Sequence, residues 1–146
     1  MDEMTKRKLL GLLGFAARAR MLETGAGRIA DSVRKHDVFV KGDSGRMNAG
    51  VVIVASDASP NTVKRLKNCC SYYNTECVSV PVTMEELAHT VGKASDTSAV
   101  GLFAGSFPVS VKKLLRDAGL TDGGTAKEQN AADDLNRTEK GVGDTL

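Results

Sequence analysis

Residues 51–55 read Val-Val-Ile-Val-Ala, five apolar residues in succession. A strand with one solvated face alternates apolar and polar side chains. A run without alternation needs apolar cover on both faces, which in α/β proteins is supplied by helices. The residues that follow provide one. Ser59 is placed to cap a helix and Pro60 to take its first position, where a missing N–H costs nothing. Val63, Leu66 and Cys70 then recur on one face. Residues 50–70 therefore read as a buried strand, a polar corner at Ser56 and Asp57, and a helix leaving the carboxyl end of the strand. Open α/β sheets hold ligands at that edge, although an ordinary connecting turn accounts for the same residues.

Other segments repeat this alternation. Leu9, Leu12, Leu13 and Ala16 form the apolar stripe of a first helix, with Lys6, Arg7, Lys8 and Arg18 mainly off it. Met21 to Thr24 is a short strand candidate. "TGAGRIADSVRK" then gives a turn and a second helix, with Ile29 and Val33 inward and Arg28 and Arg34 outward. Val38 to Val40 could pair as a short strand, and Gly42 to Gly50 has a loop composition. "ECVSVPV" is a further strand. Thr83 and Glu86 form a capping box for a helix that Gly92 can close in a left-handed conformation. "SAVGLFAG" is another strand, and Pro108 to Ala118 a last helix. This succession predicts an α/β fold: a three-layer α/β/α sandwich around a mixed sheet of about four strands.

A chain of 146 residues holds one such domain, taken as residues 1–120, with residues 121–146 as a disordered acidic tail. The tail carries three basic and six acidic residues, a net of −3. Since the whole chain has a formal charge of +2, the remainder is a modestly basic body of +5. Aromatic residues make up 4% of the chain and Trp is absent, so any nucleic acid would be held mainly by amides, cations and small apolar groups. "KRKLLGLLGFAARARM" has outward features of a signal peptide, but Asp2 and Glu3 stand where a basic start belongs, and the stretch reads well as the first helix. No stretch is long enough to span a bilayer, so no membrane partner and a cytoplasmic location are expected.

Catalytic and metal-binding constellations are missing. His36 and His89 have no nucleophile or carboxylate placed beside them by sequence and read as solvated residues. Cys69, Cys70 and Cys77 form no C-x-x-C pair, which fits reduced thiols rather than a disulfide framework or a metal site. No cofactor motif is complete either. "TGAGR" has two glycines but neither the third glycine of a dinucleotide fingerprint nor the Lys-Ser/Thr of a P-loop. It is either a tight turn or a place where Gly25 and Gly27 let a phosphate or base approach helix amides, with Arg20 and Arg28 as counter-charges.

Three longer pieces, "LLGFAARARMLETGAGRIADSVRK", "VVIVASDASPNTVKRLKNCCSYYNTECVSV" and "TMEELAHTVGK", occur in an order and spacing that resemble the kink-turn RNA-binding ribosomal-protein family. This is the L-seven-Ae and L-thirty-e type, which also includes the Gadd proteins, and the resemblance is strongest to its small bacterial members of the YlxQ kind. It covers most of residues 5–117, with Ala88 where the family usually has Gly and "KHDVFVKGDSGRMN", residues 36–49, as an insertion. It implies a non-enzymatic protein that binds structured RNA, ribosomal or otherwise non-coding, along one edge of the sandwich. Transferred by position, that edge comprises Gly25, Ala26, Gly27 and Arg28, then Ser56 and Asp57, then Lys93, Ala94 and Ser95, with Arg20 adjoining. Where the family has Gly-x-Asn-Glu-x-x-Lys, this chain has Gly25, Gly27, Arg28 and Asp31. The resemblance thus implies recognition by shape and phosphate contact rather than by reading sheared G·A pairs. A protein-interaction module on the same fold, and a small-ligand or nucleotide-binding domain using the "TGAGR" turn, are the alternatives.

Overall fold

The computed structural model describes residues 1–35 and 48–120. Val38 to Val40, His36, most of the residue 36–49 insertion and the whole acidic tail lie outside the described residues. Among the described residues nine elements follow one another: α1 (Glu3–Arg18), β1 (Leu22–Thr24), α2 (Ala26–Lys35), β2 (Val51–Val54), α3 (Pro60–Tyr72), β3 (Glu76–Ser79), α4 (Met84–Val91), β4 (Ala99–Leu102) and α5 (Ser106–Asp117). The four described strands form one mixed sheet in the order β1-β4-β2-β3, with β2 and β3 parallel and β4 antiparallel to both of its neighbours.

The unalternated run behaves as its composition requires. Val51 and Ile53 face a layer built by α1, α4 and α5, where they meet Leu9, Leu13, Leu87 and Leu115. Val52 and Val54 face the opposite layer, α2 and α3, and meet Ile29, Val33, Leu66 and Cys70. All four strand residues are wholly buried, so β2 has two cores rather than one. The expected sandwich is the observed one.

Local signals set most boundaries. Asp2 caps α1 by accepting from the Thr5 amide at 2.8 Å. Ser59 caps α3 through the Thr62 amide with Pro60 behind it. At α4 the Thr83–Glu86 capping box forms in full, and Gly92 closes the helix at φ +77°. Glu86 also receives Lys6 of α1 at 2.7 Å, tying the two helices together. The Lys6 ammonium, with the Thr83 amide, holds the Glu86 carboxyl below its usual range.

Two boundaries differ from the sequence reading. The helix α5 begins at Ser106, two residues before Pro108, because a first-turn proline sacrifices no helical hydrogen bond there. The strand β3 ends at Ser79 although Val80 and Val82 are buried, because Pro81 has no amide with which to continue the ladder. Cys69, Cys70 and Cys77 are free thiols at the α3–β3 junction. A hydrogen bond to Cys77, together with burial, pushes the Cys70 thiol up and away from the reactive thiolate range.

Lys112 was not legible as a core residue. It is 4% exposed on α5 and meets Glu76 of β3 at 3.8 Å. Burial lowers its pKa, and the nearby Glu76 offsets this only in part. Between that lowered value and the ordinary lysine value the unfolded chain binds more protons than the folded one, so stability rises with pH across this alkaline interval. Lys112→Met should remove that rise and leave stability at neutral pH within about 1 kcal/mol of the parent or above it. Urea midpoints measured at a series of pH values would show whether the slope persists in the variant.

Candidate nucleic-acid interface

Strand direction decides which loops can meet. Thr24, the last residue of β1, pairs with Val100, and Val54, the last of β2, pairs with Ala99 at the start of β4. The turn after β1, the corner after β2 and the loop entering β4 therefore emerge at the same end of the sheet. Backbone hydrogen bonds lock them there: the Gly25 amide donates to the Ala99 carbonyl at 3.2 Å, and the Ala55 amide to the Ser98 carbonyl at 2.9 Å. The edge expected from the sequence is thus assembled, though its parts contribute unequally.

The Gly25 turn has φ +92°, which only glycine adopts without strain, and it starts α2 directly. The first amide of α2 to bond backward is that of Ile29, to the Gly25 carbonyl at 3.0 Å. The amides of Ala26, Gly27 and Arg28 have no helical acceptor, and Gly25 has no side chain to cap them. A Cβ on Gly27 would meet nothing within 4 Å, so the protein's own packing does not demand glycine there. What its absence does is leave the amide approachable. Arg28 projects outward with its side chain 75% exposed, held loosely by Glu23 at 3.4 Å. Asp31, one turn on, pairs with Arg34 at 2.9 Å.

At the corner, Ser56 and Asp57 are exposed, but both already have internal duties. The Ser56 amide donates to the Val82 carbonyl at 2.9 Å, and the Asp57 carboxylate accepts from the Met84 amide at 2.8 Å. Asp57 thus serves as a second cap of α4, a stabilising position for an anion at a helix start. Sequence reasoning missed this bond because its partners are 27 residues apart with no local pattern to join them. Beyond α4 the chain turns back, and the Thr97 amide reaches the Met84 carbonyl at 3.2 Å. Ser95 is held at this return, its carbonyl accepting from the Thr97 hydroxyl at 3.5 Å. Lys93 and Ala94 are exposed at the far end of the excursion, about 12 Å of helix away from Met84.

Arg20 is not brought to this edge. It precedes β1 at the opposite end of the sheet, where the neighbouring Met21 carbonyl accepts from the Phe103 amide at 3.0 Å. The edge consequently carries Arg28 and Lys93 against Glu23, Asp57 and Asp96, with no surplus of positive charge. Positive charge collects on the adjoining helices instead: α2 and α3 hold Arg28, Arg34, Lys35, Lys64, Arg65 and Lys67 against Asp31 alone. His89 is exposed on α4, and no cluster of three or more metal-ligating side chains occurs among the described residues. Nor is any described helix long and apolar enough to cross a membrane.

No protein-family model matches the chain. The RNA-binding protein YlxQ of Enterococcus faecium is 30% identical to it over 115 residues, spanning 79% of this chain and 98% of that protein. Among solved structures, a protein with unknown function from Bacillus halodurans C superposes with a TM-score of 0.62 at 29% identity, covering 75% of this chain and 97% of its own. A 15.5kD RNA binding protein of Giardia lamblia superposes with a TM-score of 0.60, covering 84% of this chain and 92% of its own, and at 16% identity shares the fold.

Proposed function

The chain belongs to the family of YlxQ-like RNA-binding proteins, and from that premise we propose that it binds structured RNA through the edge where α2, the β2 corner and the loop entering β4 meet. The family is one of binders rather than enzymes. The observation that supports the edge most directly is the open start of α2. Three amides without acceptors among the described residues, an exposed Arg28 and a Gly27 with open space around it stand together at one end of the sheet. Such an arrangement takes a phosphate by amide donation and helix dipole, with the guanidinium adding charge or stacking on an unpaired base. Ribosomal or other non-coding RNA in the cytoplasm is the ligand class this reading favours. With Arg28 and Asp31 in place of the Asn-Glu-x-x-Lys pattern, recognition proceeds by shape and backbone contact.

Arg28→Ala should weaken binding to structured RNA fragments by about 1 kcal/mol and lower the salt slope by about one phosphate's worth. Folding should hardly change, since the side chain is exposed and its contact with Glu23 is weak. Asp31→Lys should act in the opposite sense, because it removes a repelling charge and also frees Arg34 from its partner. Titrations of both variants at several salt concentrations test the reading. Curves that overlay the parent for both would sink it and favour a protein-interaction role for this edge.

A further inference from the structure

The helix α3 carries no carboxylate. Its outward face presents Asn61, Lys64, Arg65, Lys67 and Asn68, and ends at Tyr72, a residue 80% exposed. Five cations on other elements have acidic partners, Lys6 with Glu86, Arg7 with Glu3, Arg28 with Glu23, Arg34 with Asp31 and Lys112 with Glu76, whereas α3 gathers three cations on one helix with no acid of its own. None of Lys64, Arg65 and Lys67 has a carboxylate within 4.0 Å among the described residues. Like charges a turn apart, as Lys64 and Lys67 are, repel one another in the free protein, and a polyanion relieves that repulsion. Tyr72 is the most exposed large apolar side chain described. Its ring stands edge-on to Tyr73 at 4.8 Å, while Tyr73 packs against the α2–α3 core, so the exposed ring is held from behind. Cations and amides followed by a braced aromatic ring are the chemistry of a single-stranded RNA track: charge for the backbone and a face for a base. The helix leaves the candidate edge three residues after Asp57 and runs about 20 Å from it, room for several nucleotides.

We propose that the outer face of α3 is a second RNA-contact surface, which takes an unpaired segment leaving the structured part of the RNA, with Lys64, Arg65 and Lys67 on its phosphates and Tyr72 stacked on a base. This rests on the reading of the protein as an RNA binder. It assigns contacts to residues distant from the α2 turn. The test uses the full chain and two synthetic RNAs, a hairpin with blunt ends and the same hairpin with an unpaired flank of about eight nucleotides, the scale of one single-strand site. The parent should bind the flanked hairpin more tightly than the blunt one. Replacing Lys64, Arg65 and Lys67 together by Gln should abolish that difference, and lower the salt slope for the flanked RNA by about two units. Tyr72→Ala should weaken the flanked RNA roughly fivefold to thirtyfold without changing the slope. Neither variant should alter blunt-hairpin binding, which controls for folding. Equal affinity of the parent for the two RNAs, or variants that keep its preference for the flank, would overturn the proposal and favour a protein partner for α3. Failure of the parent to bind either RNA would instead overturn the RNA-binding reading itself, so the two failures are distinguishable.

Discussion

Replacing Ile53 with Ala should lower stability by about 3 kcal/mol and the melting temperature by on the order of 10 °C. Ile53 is wholly buried in the middle of β2, in register with Val78 of β3 and Val100 of β4, and faces Leu9, Leu13 and Leu115. The neighbouring strands fix the backbone on both sides, so the surroundings can relax only slightly into the space vacated, and most of the cavity cost is kept. Against a typical total of roughly 5 to 15 kcal/mol this is a large fraction. Val52→Ala, which opens the opposite layer beneath α2 and α3, should cost about 2 kcal/mol because fewer buried methyl groups are removed. A fall of less than about 1 kcal/mol for Ile53→Ala in denaturant unfolding would mean that the α1–α4–α5 layer is not close-packed on the sheet.

Gly25→Val should cost about 3 kcal/mol, at the upper end for one strained backbone position, because φ +92° is forbidden ground for a β-branched residue. A Cβ at Gly25 would meet nothing within 4 Å, so the cost is torsional rather than steric crowding by neighbours. The strain also falls on the Gly25–Ala99 hydrogen bond, and with it on the joint between β1 and β4. Gly27, two residues away, predicts the reverse. It lies within α2 with open space around it, so Gly27→Ala should stabilise the fold by roughly 0.5 to 1 kcal/mol. If RNA approaches the α2 amides closely, the same methyl group should nonetheless weaken RNA binding. A higher melting temperature with lower affinity is therefore the expected pairing for Gly27→Ala. A gain in both would argue that nothing approaches that amide.

Much of this architecture was legible in short-range chemistry. The two-sided burial of residues 51–55, the Ser59–Pro60 start of α3, the Thr83–Glu86 box and the left-handed Gly92 each depend on residues within one helical turn of one another. What escaped depends on how distant segments are brought together. Arg20 is five residues from Gly25, yet an extended strand of about 3.3 Å per residue carries the chain across the sheet between them, so nearness in sequence did not become nearness in space. Asp57 caps a helix 27 residues away, and Lys112 is buried because β3 offers Glu76 beside it. The absence of acids on α3, by contrast, can be read off a helical wheel of residues 60–72. It takes on meaning only once the structure shows that no neighbouring element supplies them among the described residues.

The strand order carries a consequence for biosynthesis. The last of the described strands to be made, β4, inserts between β1 and β2, and both of its neighbours precede it by dozens of residues. A nascent chain that stops short of residue 98 leaves β1 without its ladder partner among the described residues, the Gly25 amide without Ala99 and the Ala55 amide without Ser98. Since synthesis runs from the N-terminus, the two halves of the described sheet are joined only once β4 has been made. Assembly of this end of the sheet therefore waits for β4: a chain that stops before it has Arg28, Gly25 and Gly27, but not the strand that brings their turn beside the β2 corner.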